Sequence, residues 1–447
     1  MNKFNYLSEE VSYKRILYLA LPIMVGSVVQ NAIAIMDSLF LFYLGEDDFA
    51  AVGFVSAFYL IVVSIGYGFS RGGQIIMARQ DGGQQLRRIG ITFNTNLVML
   101  FLLAILFFIV VRYVSPWFLK FLMSNENIYE KSVIYLQYRS WGVFTGFLGL
   151  GMIALYTGVS NTNFLVFATI VLLGTNVIFN YGLIFGNLGM PQLGIGGAAL
   201  ASNISELAGL MAFAGNILWS RDFKKYLIPS KVLANLQIGK DILKISMPLV
   251  LQASAGVASW FVLFALIENM GERELAISNL ARIFYLVLSI PLWGFSVAVN
   301  TMVSNSMGSR KYHQVLTIIR RTSVLAFVIT MVIAIPILLF PEFFLDPILN
   351  DAQMQVIGES HGILRIVLAI LVFYILGTVI FQGMIGTGKV VLALTIQLIT
   401  VVIYVLMLII GVKYFGVGLE GAWAIEIAYW VVIYIVNVIY FKYYFNR

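Results

Sequence analysis

The sequence predicts an all-α integral membrane protein of twelve transmembrane helices arranged as two six-helix repeats. Three observations carry that expectation. The 447-residue chain is 60% hydrophobic and 11% charged, with a mean hydropathy of +0.93, whereas a soluble domain carries roughly 25% charged residues. Apolar runs of about 20 residues, long enough to cross a bilayer as a helix, recur twelve times. The first half of the chain also reappears in the second at a fixed offset of 226 positions.

In order, the spans fall at about 15–44, 50–77, 91–113, 131–154, 163–187, 195–219, 241–269, 275–303, 321–340, 359–384, 388–411 and 418–441. The first is far longer than the ~7–15 apolar residues of a signal-peptide core and has no small-residue cleavage site, so it reads as a span. Tyr and Trp gather near the ends of the runs, as interface anchors do. One set of span ends holds Lys3, Lys14, Arg15, Arg79, Arg87, Arg88, Arg221, Lys224, Lys225, Lys231, Lys240, Lys244, Arg310, Lys311, Arg320, Arg321, Lys389, Lys442 and Arg447. The opposite set is rich in acids: Glu46, Asp47, Asp48, Glu268, Glu272, Glu274, Glu342, Asp346 and Asp351. The positive-inside rule then places both termini in the cytoplasm of a multi-pass protein of the cell membrane. The longest polar linker, 220–240, separates an N-lobe, 1–219, from a C-lobe, 241–447.

The repeat rests on identical motifs at one offset. Leu21-Pro22 meets Met247-Pro248, Gly45-Glu46 meets Gly271-Glu272, and Phe58-Tyr59-Leu60 meets Phe284-Tyr285-Leu286. Gly68-Phe69-Ser70 meets Gly294-Phe295-Ser296, and Arg139 meets Arg365. Later the register slips, so that 194–198 aligns with 418–422. Six helices per half is an even number, so both halves insert the same way up, related by a pseudo-two-fold axis along the membrane normal. Parallel repeats of this kind build transporters.

Other classes are excluded by composition. The chain has no cysteine and two histidines, His313 and His361, so thiolate and histidine-rich metal sites are ruled out. The +7 net charge is accounted for by the one-sided loops and does not call for a nucleic acid partner. Residues 383–389 superficially resemble a phosphate loop but have the wrong spacing. Nothing reads as enzyme chemistry, and no bound cofactor or resident metal is expected.

Asp37 is the residue that asks for an explanation. It lies inside a continuous apolar span, with Ile33, Ala34, Phe40 and Leu41 at helical contact spacing and no basic partner among them. An intramembrane carboxylate is costly and marks an ion or proton site unless it is a hydrogen-bonded structural group. Gln30 lies two turns earlier on the same face, and Gln30, Asn31 and Asn180 are candidates to line a substrate cavity. Asn176 and Asn180 share a helix face one turn apart and offer carbonyl oxygens and amide donors. With Asp37 they make a possible Na⁺ site; the plainer alternative is interhelical packing. Glu206 and Glu426 are further intramembrane acids at non-matching repeat positions. Glu206 is a candidate second titratable group; Glu426 has less support. Arg139 and Arg365 recur at matching positions and read as architectural. Pro22 frees a backbone carbonyl within the first span, as a hinge or a static kink. Abundant Met and aromatic residues would suit flat organic cations wherever they line a cavity.

Several stretches resemble the multidrug and toxic compound extrusion (MATE) transporters, over nearly the whole chain. Leu19-Ala20-Leu21-Pro22 followed by Asp37 is similar to that family's first helix, and Tyr135-Leu136 with Arg139 to its fourth. The most specific stretches are 176–186 and 194–201, which resemble its fifth and sixth helices. The resemblance implies a drug or metabolite antiporter driven by protons or sodium; the partners expected are the lipid bilayer and small organic cations as substrates, with the chain a monomer. Within the family the chain is similar to the DinF-like branch, which carries its key acid on the first helix. The resemblance also implies that Pro22 bends the first helix, that Glu206 matches a branch acid, and that the cation site lies in the N-lobe, since Gly256 stands where another branch has an acid. One departure is Asn180, where many members of the branch carry Asp. A lipid-linked oligosaccharide or polysaccharide flippase of the same superfamily is the alternative, against which the twelve spans and the acidic first helix argue.

Overall fold

The computed structural model describes residues 11–123, 125–226, 234–345 and 351–445. Among them are α-helices and two π-helical turns, with no strand. Eleven helices are long and apolar enough to cross a membrane, or twelve when one bent pair counts as a single span. Of the loop charges used for orientation, Lys3, Lys231, Asp346 and Arg447 lie outside the described residues.

By chain contacts the molecule divides into two compact units, Val25–Val250 and Met1–Met24 with Leu251–Arg447. Both divisions fall inside helices, two residues past Pro22 and Pro248. The helices concerned are α1, Tyr13–Leu44, and α9, Leu236–Glu268, and each runs through its proline without a break.

The Val25–Val250 unit comprises most of α1, then α2 (Glu46–Gly82), α3 (Leu86–Ile109), α4 (Ser115–Leu122), α5 (Glu126–Gly158), α6 (Asn163–Phe185), α7 (Ile195–Trp219), the short α8 (Arg221–Lys224) and the start of α9. The third span is longer than the 91–113 expected: a π-helical turn at Val110–Val114 passes the chain into α4, whose Pro116 sits in the first turn, where a missing N–H costs nothing. Helix α5 is the pillar, packed on α2, α3 and α7. Its start is set by Asn125, whose side chain accepts from the backbone N–H groups of Asn127 (3.0 Å) and Ile128 (3.3 Å). The core on it includes Val55, Phe69, Leu100, Leu136, Phe147 and Ile184.

Helices α6 and α7 form a tight hairpin. Gly186 ends α6 in the left-handed conformation (φ 76°), and Leu193 N–H returns to the Leu183 carbonyl at 2.8 Å. Gly197 faces that same Leu183 carbonyl so closely that any side chain would strike backbone. This approach sets α6 and α7 in register.

The other unit holds α10 (Glu272–Leu288), α11 (Ile290–Gly308), α12 (Gln314–Leu339), α13 (Pro341–Leu345), α14 (Asp351–Gly386), α15 (Val390–Lys413) and α16 (Leu419–Tyr440), with the rest of α9 and the first residues of α1. Helix α14 is its pillar, packed on α16, α12 and α11. The single span expected at 275–303 is instead α10 and α11, bent by 43° at Ser289. Pro291 opens α11, and Ser289 Oγ donates to the Tyr285 carbonyl at 2.5 Å, capping the end of α10.

Gly197→Val should overpack the α6–α7 hairpin at a cost of about 1–3 kcal/mol. Thermal unfolding in detergent, followed by circular dichroism, should show a lowered midpoint. Gly174→Ala, at a position with open space around it, should show no loss.

Candidate functional site

Three helices of the Val25–Val250 unit converge on Asp37. Its Oδ1 accepts from Asn176 Nδ2 at 3.2 Å and Asn180 Nδ2 at 2.5 Å, both from α6. Its Oδ2 accepts from Ser202 Oγ on α7 at 3.3 Å. Asn180 Nδ2 also donates to Asn176 Oδ1 at 3.1 Å, locking the two amides together. The one-turn spacing of Asn176 and Asn180 is what lets both reach the same carboxylate oxygen. Both asparagines are fully buried, and among the described residues Asn180 Oδ1 has no hydrogen-bond partner. No Lys, Arg or His among the described residues is ion-paired to Asp37.

A second carboxylate sits one turn along α7 from Ser202, and it is held very differently. Arg139 of α5 donates from Nη2 to Glu206 Oε1 and from Nη1 to Oε2 at 3.1 Å. Thr145 Oγ1 adds a bond to Oε2 at 3.0 Å. Arg139 Nη1 also reaches Asn203 Oδ1 at 2.7 Å, and the guanidinium stacks over the Tyr59 ring at 4.4 Å. A fork-to-fork pair with stacking is the geometry in which a guanidinium is hardest to displace. Glu206 is thus brought beside the Asp37 cluster, but as half of an ion pair. Arg139, read from sequence as architectural like Arg365, is its buried partner, whereas Arg365 is exposed.

The remaining predicted residues lie elsewhere. Gln30 and Asn31 are exposed on α1, and Asn31 Nδ2 bonds back to the Ser27 carbonyl of its own helix at 2.8 Å. Pro22 is buried within α1 on the far side of the unit boundary from Asp37. Glu426 lies in the other unit. Ser202 was missed by sequence reasoning; a hydroxyl one turn before an intramembrane Glu was the available signal. No group of three His, Cys, Asp or Glu side chains that could hold a metal ion occurs among the described residues.

The cluster is a carboxylate within a membrane-spanning helix, held by three neutral donors, with one amide oxygen, Asn180 Oδ1, left over beside it. The MatE family model matches residues 22–182 and 228–410. The chain belongs to the MatE family. It is a membrane transporter, not an enzyme. Among relatives, a Thermotoga maritima protein named Probable multidrug resistance protein NorM is 26% identical over 438 residues, covering 94% of this chain and 90% of that one. Bacillus subtilis YoeA, named likewise as a multidrug resistance protein, is 22% identical over 353 residues, 78% of this chain and 75% of its own. The fold matches that of an outward-facing multidrug resistance MATE transporter with a TM-score of 0.87 at 20% identity, covering 97% of this chain and 96% of that one.

Removing one partner of the Arg139–Glu206 pair should strand the other charge in the membrane. Arg139→Gln should cost about 3 kcal/mol or more of stability, and Arg139→Gln with Glu206→Gln should recover most of it. Denaturation of the purified single and double variants checks the coupling.

Proposed function

We propose that this MATE transporter is an antiporter of the DinF-like branch that exports organic, cationic and amphipathic compounds by alternating access. Entry of H⁺ or Na⁺ at Asp37 drives it. The observation that carries the reading is the Asp37 cluster: a carboxylate at membrane depth with neutral donors on both oxygens and no ion-paired cation among the described residues. The orphaned Asn180 Oδ1 beside it offers a further oxygen to a bound Na⁺. Protonation needs only the carboxylate itself. The relatives' names as multidrug resistance proteins support the substrate class. The loop charges support both termini in the cytoplasm of the cell membrane, and a single chain carries the whole cluster, in keeping with a monomer.

In this scheme occupation of Asp37 by the cation weakens its bonds to Asn176, Asn180 and Ser202 and shifts α1 against α6 and α7. Pro22 supplies the place where α1 yields, because proline has no N–H to donate along the helix and its ring crowds the preceding turn. Glu206, held by Arg139, keeps α7 fixed to α5 while α1 moves.

Efflux of a fluorescent organic cation from proteoliposomes, driven by ΔpH alone or a Na⁺ gradient alone, identifies the coupling ion. Asp37→Asn should reduce gradient-driven efflux to the leak of protein-free vesicles while leaving the protein folded. Undiminished efflux from that variant would sink the assignment of Asp37.

A further inference from the structure

Glu426, on α16, is a carboxylate that the Asp37 scheme does not use. It is 2% exposed. Trp430 Nε1 donates to its Oε1 at 3.4 Å, and among the described residues its Oε2 has no hydrogen-bond partner. Among the described residues no Lys, Arg or His forms an ion pair with it. What surrounds it is aromatic. Trp260 from α9 and Tyr285 from α10 turn toward the carboxylate, and Tyr374 from α14, Tyr404 from α15 and Tyr429 from α16 itself lie within its field. These rings interlock: Tyr285 stacks on Tyr374 at 5.3 Å, Tyr374 packs on Trp430 at 4.5 Å, and Trp260 packs on Tyr285 at 5.2 Å.

The repeat gives this position a meaning. Helices α7 and α16 each begin just after the glycine of the aligned motif, Gly194 and Gly418. Carried along both helices, that register sets Glu426 against Ser202, the hydroxyl that bonds Asp37, and Trp430 against Glu206. Tyr285 likewise corresponds to Tyr59, the ring under Arg139. Each repeat thus keeps a carboxylate at the same station beside its sixth helix. In the first repeat α1 delivers it; in the second, where Leu263 replaces Asp37, α16 carries it itself.

We propose that Glu426 is a second proton-binding site, in the unit opposite Asp37, and that it gains and loses its proton during transport. The cage is a setting for a proton. Its indole N–H groups are donors only, its ring faces ligate nothing, and its tyrosine hydroxyls are neutral groups that can hydrogen-bond either form of the carboxyl. A proton needs only the carboxylate. A Glu kept for packing alone would stay in one protonation state. The inference does not rest on Asp37, which the test treats separately.

The experiment is infrared difference spectroscopy of the full chain in lipid nanodiscs, stepped across the physiological pH range. The wild type and Asp37→Asn should both show a carboxylic C=O band that appears on acidification. Glu426→Gln should lose that band, and Glu426→Asp should keep it at a shifted frequency, which shows that the cage still folds. A flat difference between wild type and Glu426→Gln over that range would overturn the proposal, as would a band that follows Asp37 instead.

Discussion

The Val25–Val250 unit depends on how two carboxylates and one guanidinium are kept inside a bilayer. A charge there must be paired or solvated by protein dipoles. The chain uses both solutions within one turn of α7. Glu206 receives the full fork of Arg139, with Thr145 and the Tyr59 ring completing its surroundings. Asp37 receives three neutral donors and, among the described residues, no ion-paired cation. The first arrangement is rigid, because leaving it would strand two charges. The second leaves no opposite charge behind when its donors let go, although the buried Asn176 and Asn180 amides must then find other partners. Position thus sets the two acids apart: Glu206 is tied into an ion pair between α5 and α7, and Asp37 is held by neutral donors from α6 and α7.

The supports of that arrangement are the close approach of α6 and α7 and the packing of α5 against α7. Gly197 lets α7 lie on the Leu183 carbonyl, which brings Ser202 level with Asn180. Arg139 anchors α5 to α7 from the other side. Helix α1 is tied to α6 and α7 through Asp37 at a point about half a helix beyond Pro22, so the proline and the carboxylate lie on the same element.

Much of this was legible in the chain. Hydropathy located the spans because a bilayer permits only helices whose backbone is internally satisfied. The one-turn spacing of Asn176 and Asn180 marked a polar face, and the structure brings that face onto Asp37. The partner of Glu206 was not legible. Arg139 is 67 residues away in sequence, and such pairing follows from tertiary packing that periodicity does not encode. Its recurrence as Arg365 pointed to architecture, yet the two arginines differ completely in burial. Two unpaired intramembrane charges of opposite sign in one half were the clue. The break between α10 and α11 escaped because both pieces are apolar, although Pro291 was its mark. The slipped repeat register proved more informative than the exact one, since it alone sets Glu426 against Ser202.

The account stands on exchange at Asp37 between a cation and substrate. The most direct measurement is calorimetric titration of an organic cation into the purified transporter, repeated in buffers of different ionisation enthalpy and at several Na⁺ concentrations. The account predicts that binding releases a proton or a Na⁺ ion from the wild type and that Asp37→Asn binds the same compound with no release. Identical cation release from both proteins would contradict it.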